Sequence, residues 1–278
     1  VEETTKKIAL GLGVIGLMNI QYAIYRDEVF LIEVNPRASR TVPFVSKTTG
    51  IPLAKVATRV MLGEELESSL KFYDKYEVVE FANGIFKPKL KNHIAVKEAV
   101  FPFNKLDGAD LILSPEMKST GEVMGISKSF AISFAKSQLA SQNRIPKSGT
   151  VFISLNDLDK PDSLDIARDF INLGFKIVAT SGTHKLFEEN GIESESVLKI
   201  SEGRPNIDDK LKNGDISLVI NTSDNRASKT DAKLIRQTVI RENIPYFTTL
   251  SATQATTEAL KEMKLHRLEV RTIQDYLN

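Results

Sequence analysis

Lys176-Ile177-Val178-Ala179-Thr180-Ser181-Gly182-Thr183 decides the fold of this 278-residue sequence. A short β run ends without a spacer in small hydroxyl residues and one glycine, and a helical segment follows. The same order recurs with β runs over 150–154, 216–220 and 246–248, each leading into a helical segment. Such alternation predicts an α/β domain, a doubly wound, Rossmann-type parallel sheet with helices on both faces. At the strand-to-helix turn, free backbone N–H groups and the helix dipole suit a phosphate, while the same letters also fit an ordinary turn with a helix N-cap.

Working outward, the neighbouring strand ends carry polar residues. Lys160 follows the first run, Lys199 follows a short run at 196–199, Asn221-Thr222 ends the third and Thr248-Thr249 the last. In an open parallel sheet these ends gather on one edge, where ligands bind at a topological switch point. Upstream, Asn143-Arg144-Ile145-Pro146-Lys147-Ser148-Gly149 reads as a loop and 127–142 as a helix before it. The expected organisation is therefore a first domain over 1–126, a helix and linker over 127–148, and the parallel-sheet domain over 149–278.

The N-terminal third carries a different pattern. Residues 19–35 alternate as two β-rich runs around Arg26-Asp27-Glu28, which predicts an antiparallel hairpin. A turn centred on Asp27 sets Gln21 opposite Glu33, and Asn35 projects from the same face as Glu33. Oxygen donors with a single carboxylate suit Mg²⁺, which prefers one or two carboxylates plus substrate phosphates. Arg37 stands just past the strand, where a guanidinium can grip phosphate oxygens. By spacing alone, Glu-x-Asn also fits a solvent-facing polar strand. Residues 53–62 have helical spacing with Gly63 as a stop, 64–100 show no clear period, and 111–125 read as mixed strands and loops. Residues 8–16 read as a buried helix entering a sheet from upstream, so the sequence is expected to be a piece of a longer protein.

Composition narrows the function classes. With 37 basic and 36 acidic residues the formal charge is +1, so no field of one sign exists to drive binding to nucleic acid or membrane. The absence of cysteine excludes disulfides, thiolate chemistry and Cys-ligated zinc, and three scattered histidines form no ligand pattern. No apolar run reaches the roughly 18 residues that span a bilayer, and Val1-Glu2-Glu3-Thr4-Thr5 has neither the basic flank nor the cleavage site of a signal peptide. A cytoplasmic location is expected.

Gly16-Leu17-Met18-Asn19-Ile20-Gln21 with Leu31-Ile32-Glu33-Val34-Asn35-Pro36-Arg37 resembles the metal-binding end of an ATP-grasp domain. Thr41-Val42-Pro43-Phe44-Val45-Ser46-Lys47 and Gly50-Ile51-Pro52-Leu53-Ala54 narrow the resemblance to the carbamoyl-phosphate synthase large chains, and Pro115-Glu116-Met117-Lys118-Ser119-Thr120-Gly121-Glu122-Val123 matches them again. The resemblance implies that Gln21, Glu33 and Asn35 bind Mg²⁺ or Mn²⁺ bridging ATP phosphates. It implies that Arg37 contacts phosphate as the catalytic candidate in carbamate phosphorylation. Since the glycine-rich flap and adenine-binding strands of that fold belong upstream, these 278 residues alone are expected to be inactive.

From Gly149 to about Leu260 the sequence resembles the methylglyoxal-synthase-like allosteric domain of the same family. The matches are Ala179-Thr180-Ser181-Gly182-Thr183, Glu202-Gly203-Arg204-Pro205, Leu211-Lys212-Asn213-Gly214, Val219-Ile220-Asn221-Thr222 and Thr248-Thr249-Leu250. By that resemblance Ser154, Lys160, Thr180, Thr183 and Lys199 hold a nucleotide phosphate and Asn221, Thr222 and Asp231 place base or ribose, with UMP and IMP as effectors. Glu98, Tyr246 and Thr248 match an ornithine site. The implied partners are the remainder of the large chain and a glutaminase small chain, in an oligomeric parent enzyme of pyrimidine and arginine synthesis. Two rivals share the sheet. One is a methylglyoxal synthase-type lyase, for which Asp208 or Asp209 would have to serve although both read as helix-start residues; the other is a stand-alone nucleotide-binding module.

Overall fold

A computed structural model describes residues 1–82, 84–89, 92–102, 118–222 and 229–277. The Pro115-Glu116-Met117 opening of the last ATP-grasp match lies outside them. The chain divides into two compact units, residues 1–93 with 271–278 and residues 94–270.

The first unit begins with helix α1 (Glu2–Gly11) and the hairpin β1 (Asn19–Tyr25) and β2 (Glu28–Asn35). Helices α2 (Thr41–Thr49), α3 (Leu53–Met61) and α4 (Leu66–Phe72) follow, then a ribbon of β3 (Val79–Ala82) and β4 (Ile85–Pro88). Its small core is Ile51, Val56, Leu70 and Val79, with Tyr76 and Phe86 against them. Gly50 ends α2 in the left-handed region at φ 73°, where a Cβ would stand 3.2 Å from the Leu277 side chain. The helix expected over 8–16 differs. It closes at Gly11, has no buried residue, and leaves Leu10 and Ile15 exposed. Gly13 and Gly16 take positive φ, which breaks the helical path.

The second unit opens with β5 (Ile94–Val100) paired antiparallel to β6 (Gly121–Ser127), and α5 (Phe130–Ala140) lies on this pair. The packing is close because Gly125 presents no side chain: a Cβ there would fall 1.8 Å from the Ser133 carbonyl oxygen. There follow β7 (Thr150–Ser154), α6 (Leu164–Leu173), β8 (Lys176–Thr180), α7 (Ser181–Glu189), β9 (Glu195–Val197) and α8 (Ile207–Lys212). The chain then passes through β10 (Leu218–Asn221), α9 (Lys229–Arg241), β11 (Tyr246–Phe247) and α10 (Leu250–Leu265).

These strands form one parallel sheet in the order β11-β10-β7-β8-β9. Alternate strand residues feed two cores, as the two-residue period requires. Val151, Ile153, Ile177 and Ala179 pack with Ala167 and Phe170 of α6 and Ala255 and Ala259 of α10; Phe152, Val178 and Val219 pack with Leu211 of α8 and Ile235 and Val239 of α9. The expected doubly wound fold is present. The compact units, however, part at 93/94 and not in the loop at 143–149. Phe134 and Ala135 of α5 enter the same core as α6 and α10, so that loop joins elements of one unit. The helix expected over 127–142 begins only at Phe130, because Ser127 still pairs with Ile94 as a strand residue.

Candidate functional site

In the first unit the hairpin turn occupies two residues, not three. Arg26 and Asp27 have φ of 50° and 65°, and Tyr25 pairs with Glu28. Positive φ at both central positions matches the twist of the flanking strands. That register alone would set Gln21 against Ile32. A shift between Gln21 and Tyr22 leaves Ile32 unpaired and restores Gln21↔Glu33 and Asn19↔Asn35. Gln21 and Glu33 therefore share a face, and Asn35 Nδ2 donates to Glu33 Oε1 at 2.9 Å. The Arg37 N–H donates to the Asn35 carbonyl at 2.8 Å, and its Nη1 to the Ala38 carbonyl at 3.0 Å. Gln21, Glu33 and Arg37 are solvent-exposed. The donor set, one carboxylate with two amide oxygens, fits a hard divalent cation that keeps water and phosphate ligands.

In the second unit, β7 and β10 are adjacent but their following connections lead to opposite sides of the sheet, which makes the gap between their C-terminal ends the switch point. Ser154 ends β7, Thr180 ends β8, and Thr183 lies in the first turn of α7; all three are buried. Their hydroxyls cluster: Thr180 Oγ1 stands 3.4 Å from both Ser154 Oγ and Thr183 Oγ1 and has one proton to give to either, while Thr183 Oγ1 accepts the Leu155 N–H at 3.2 Å. Thr180 precedes α7 without capping it, so the first N–H groups of that helix keep their positive end for another acceptor. Lys160 Nζ stands by this end, 3.5 Å from where a Cβ of Gly182 would be, and pairs with Asp157 Oδ1 at 2.6 Å. That ammonium, hydrogen-bonded to Asp157, holds the Asp157 carboxyl below its ordinary range.

Asn221 and Thr222 are buried at the end of β10. Asp231, buried on α9, accepts the Ser201 hydroxyl at 2.5 Å and so ties the turn after Lys199 to α9. Lys199 donates its backbone N–H to Glu202 at 2.8 Å. Asp208 and Asp209 have structural employment. Asn206 caps α8, and the Asp209 carboxylate returns the bond to the Asn206 N–H at 3.0 Å. Asp208 accepts Thr238 Oγ1 at 2.7 Å and pairs with Lys212; burial pushes its carboxyl up, but those bonds outweigh it and the net shift is downward.

A cavity of about 500 Å³ in the same unit is lined by Glu98 of β5, Gln138 of α5, Tyr246 of β11 and Thr248, so Glu98, Tyr246 and Thr248, far apart in the sequence, meet in one place. Burial pushes the Glu98 carboxyl up, opposed by the bond from Gln138 Nε2 to Glu98 Oε2 at 2.8 Å. Sequence reading missed Gln138, Asn156 and Asp157. Only the last two left a signal, the polar run Asn156-Asp157-Leu158-Asp159 that marks a turn after β7.

Two family models match the sequence: "Carbamoyl-phosphate synthase L chain, ATP binding domain" over residues 1–69 and "MGS-like domain" over residues 162–248. The chain is 57% identical over 278 residues to the carbamoyl phosphate synthase large chain of Campylobacter jejuni, all of this chain and 26% of that relative. It is 55% identical to the large chain of Helicobacter pylori strain J99, covering 25% of it. It is 48% identical to the "Carbamoyl phosphate synthase large chain, C-terminal section" of Aquifex aeolicus, covering all of this chain and 53% of that one. The chain thus spans about a quarter of the length of the first two relatives.

Proposed function

We propose, from the premise that this chain belongs with the carbamoyl phosphate synthase large chains it matches along its whole length, that it serves such an ATP-dependent ligase in two ways. Its hairpin supplies ligands for ATP phosphates and a divalent ion, and its parallel-sheet unit is a nucleotide-monophosphate sensor. The family model over 1–69 is that of an ATP-binding domain, which implies ATP and a divalent metal. Gln21, Glu33 and Asn35 would hold Mg²⁺ or Mn²⁺, and Arg37 would neutralise charge on the transferred phosphoryl group. Chemistry of that kind depends on positioning and charge neutralisation rather than a protein nucleophile.

The whole reaction in this reading makes carbamoyl phosphate from bicarbonate, glutamine-derived ammonia and two ATP, in the cytoplasm, together with the rest of the large chain and a glutaminase small chain. By function, residues 1–126 would belong to the ATP-grasp part and 149–278 to the sensor, a division that does not coincide with the compact units, since β5 and β6 fall in the second and 271–278 in the first. The stretch 70–161, which neither family model covers, would contribute Ser154 and Lys160 to the phosphate pocket.

One observation carries the sensor reading: buried hydroxyls of Ser154, Thr180 and Thr183 converge with Lys160 on the uncapped start of α7, beside the switch point. Lys199 would add charge, while Asn221, Thr222 and Asp231 would position base or ribose. Glu98, Tyr246 and Thr248 would take the cationic end of ornithine in their cavity. An effector bound there changes ligase activity only by favouring one conformation of the whole enzyme. Calorimetry of the chain with UMP, IMP and dihydroxyacetone phosphate, with and without Mg²⁺, tests the sensor. Saturable nucleotide binding is expected; binding of the triose phosphate alone would replace the sensor with a lyase.

A further inference from the structure

Asn156 lies two residues past β7 and bonds in two directions. Across the switch point its backbone N–H donates to Thr222 Oγ1 at 3.3 Å and its Nδ2 donates to the Thr222 carbonyl at 2.9 Å. Within its own loop, Nδ2 donates to Asp159 Oδ2 at 2.6 Å and Oδ1 accepts the Asp159 N–H at 2.9 Å. The second pair closes 156–159 into a turn bridged by the Asn156 side chain, and Lys160 is the next residue. The Lys160 carbonyl in turn accepts the Ser163 hydroxyl at 2.7 Å, which anchors the far side of the loop.

Both amide donors and the amide oxygen of Asn156 are therefore engaged with protein, which leaves it little with which to recognise a ligand. What these bonds fix is the place of the 155–160 loop against β10, and with it the distance from Lys160 to the start of α7. Of the loop's own side chains Leu155 at its start is buried in the core, while Leu158 is 89% exposed, so beyond Leu155 the loop is held by these hydrogen bonds rather than by apolar burial. A lysine carries a flexible stem, and the geometry of its ammonium is only as good as that of the backbone beneath it.

The geometry points to Asn156 as a positioning residue of the nucleotide pocket: it registers the lysine that grips phosphate with the strand that carries Asn221 and Thr222. The inference rests on the sensor reading above. It assigns the pocket's phosphate end and its β10 end to one mechanical piece, joined by an asparagine that does not touch the ligand.

The test is a double-mutant cycle on the full 278-residue chain, read by calorimetry with UMP and with inorganic phosphate. Asn156→Ala is expected to weaken both ligands on the order of tenfold, a typical loss when a hydrogen-bonding group is removed. In a Lys160→Ala background the same substitution should cost almost nothing further, whereas in a Lys199→Ala background it should cost its full amount. General loosening of the fold would lower binding alike in every background, so non-additivity with Lys160 alone is the signature. If Asn156→Ala does not fold, Asn156→Ser keeps an acceptor for the Asp159 N–H, loses the bond to the Thr222 carbonyl, and is measured in the same cycle. Equal losses with and without Lys160, or unchanged affinity in the Asn156 variant, overturn the positioning role and leave the sensor standing. Absence of UMP and phosphate binding by the unaltered chain, or full binding by Lys160→Ala, removes the pocket itself and this inference with it.

Discussion

Gly125→Ala tests the packing of the second unit most directly. Gly125 sits on β6 beneath α5, where an added Cβ would meet the Ser133 carbonyl oxygen at 1.8 Å and the Ser137 nitrogen at 2.6 Å. Ordinary contact starts near 3.4 Å, so the helix would have to retreat by about 1.6 Å. The obstacle is helix backbone, which cannot rotate away as a side chain can. Retreat would pull Phe134 and Ala135 out of the core they share with α6 and α10. Overpacking of well-filled sites costs about 1–3 kcal/mol and sometimes more, and this case falls at the upper end, about 3 kcal/mol. For a unit of this size that lowers Tm by roughly 6–12 °C. Thermal unfolding of the full chain by circular dichroism reads it, with Gly121→Ala as the control. Gly121 lies four residues away on the same strand face, and nothing among the described residues comes within 4 Å of its would-be Cβ. The control should melt within about 2 °C of the unaltered chain. If Gly125→Ala does the same, the close approach of α5 to β6 is wrong.

Two further outcomes follow from charge. Asp157→Asn removes the carboxylate that pairs with Lys160 at 2.6 Å and frees that ammonium for phosphate. Phosphate and UMP should bind about two- to fivefold tighter at low ionic strength, and the gain should fade as salt screens the exposed pair; weaker binding would mean that Asp157 itself orders the site. Burial raises the Glu98 carboxyl above its ordinary value of 4.5, so the folded chain takes up a proton that the unfolded chain releases. Stability contributed by this group is then lost as pH rises from 4.5 through the folded value, and the full penalty persists above it. Glu98→Gln, which retains an acceptor for Gln138, should raise Tm by roughly 1–3 °C near pH 7 and leave it unchanged near pH 4. An equal effect at both pH values would refute the burial argument.

The strand-turn-helix at 176–183, the four β runs and the hairpin were legible because their signals are local: periodicity, a glycine and hydroxyls at a turn, two runs flanking a polar pair. The short elements α4, β3 and β4 were not, since strands of four residues leave too little pattern to count. β5 escaped for another reason. Its partner β6 begins 21 residues after β5 ends, and nothing within either stretch announces the pairing.

What the sequence determined by itself was the chemical inventory and its order: one carboxylate with two amides and an arginine on a hairpin, and hydroxyls with lysines at the ends of parallel strands. Only the tertiary structure decided how those groups meet. The side-chain period of a strand is two, so the single unpaired residue Ile32 decides which face Glu33 occupies, and a turn prediction cannot supply it. Likewise Glu98, Gln138 and Tyr246 line one cavity because β5, α5 and β11 belong to a single compact unit. Proximity between residues distant in the chain is a property of packing, which no local pattern of residues encodes.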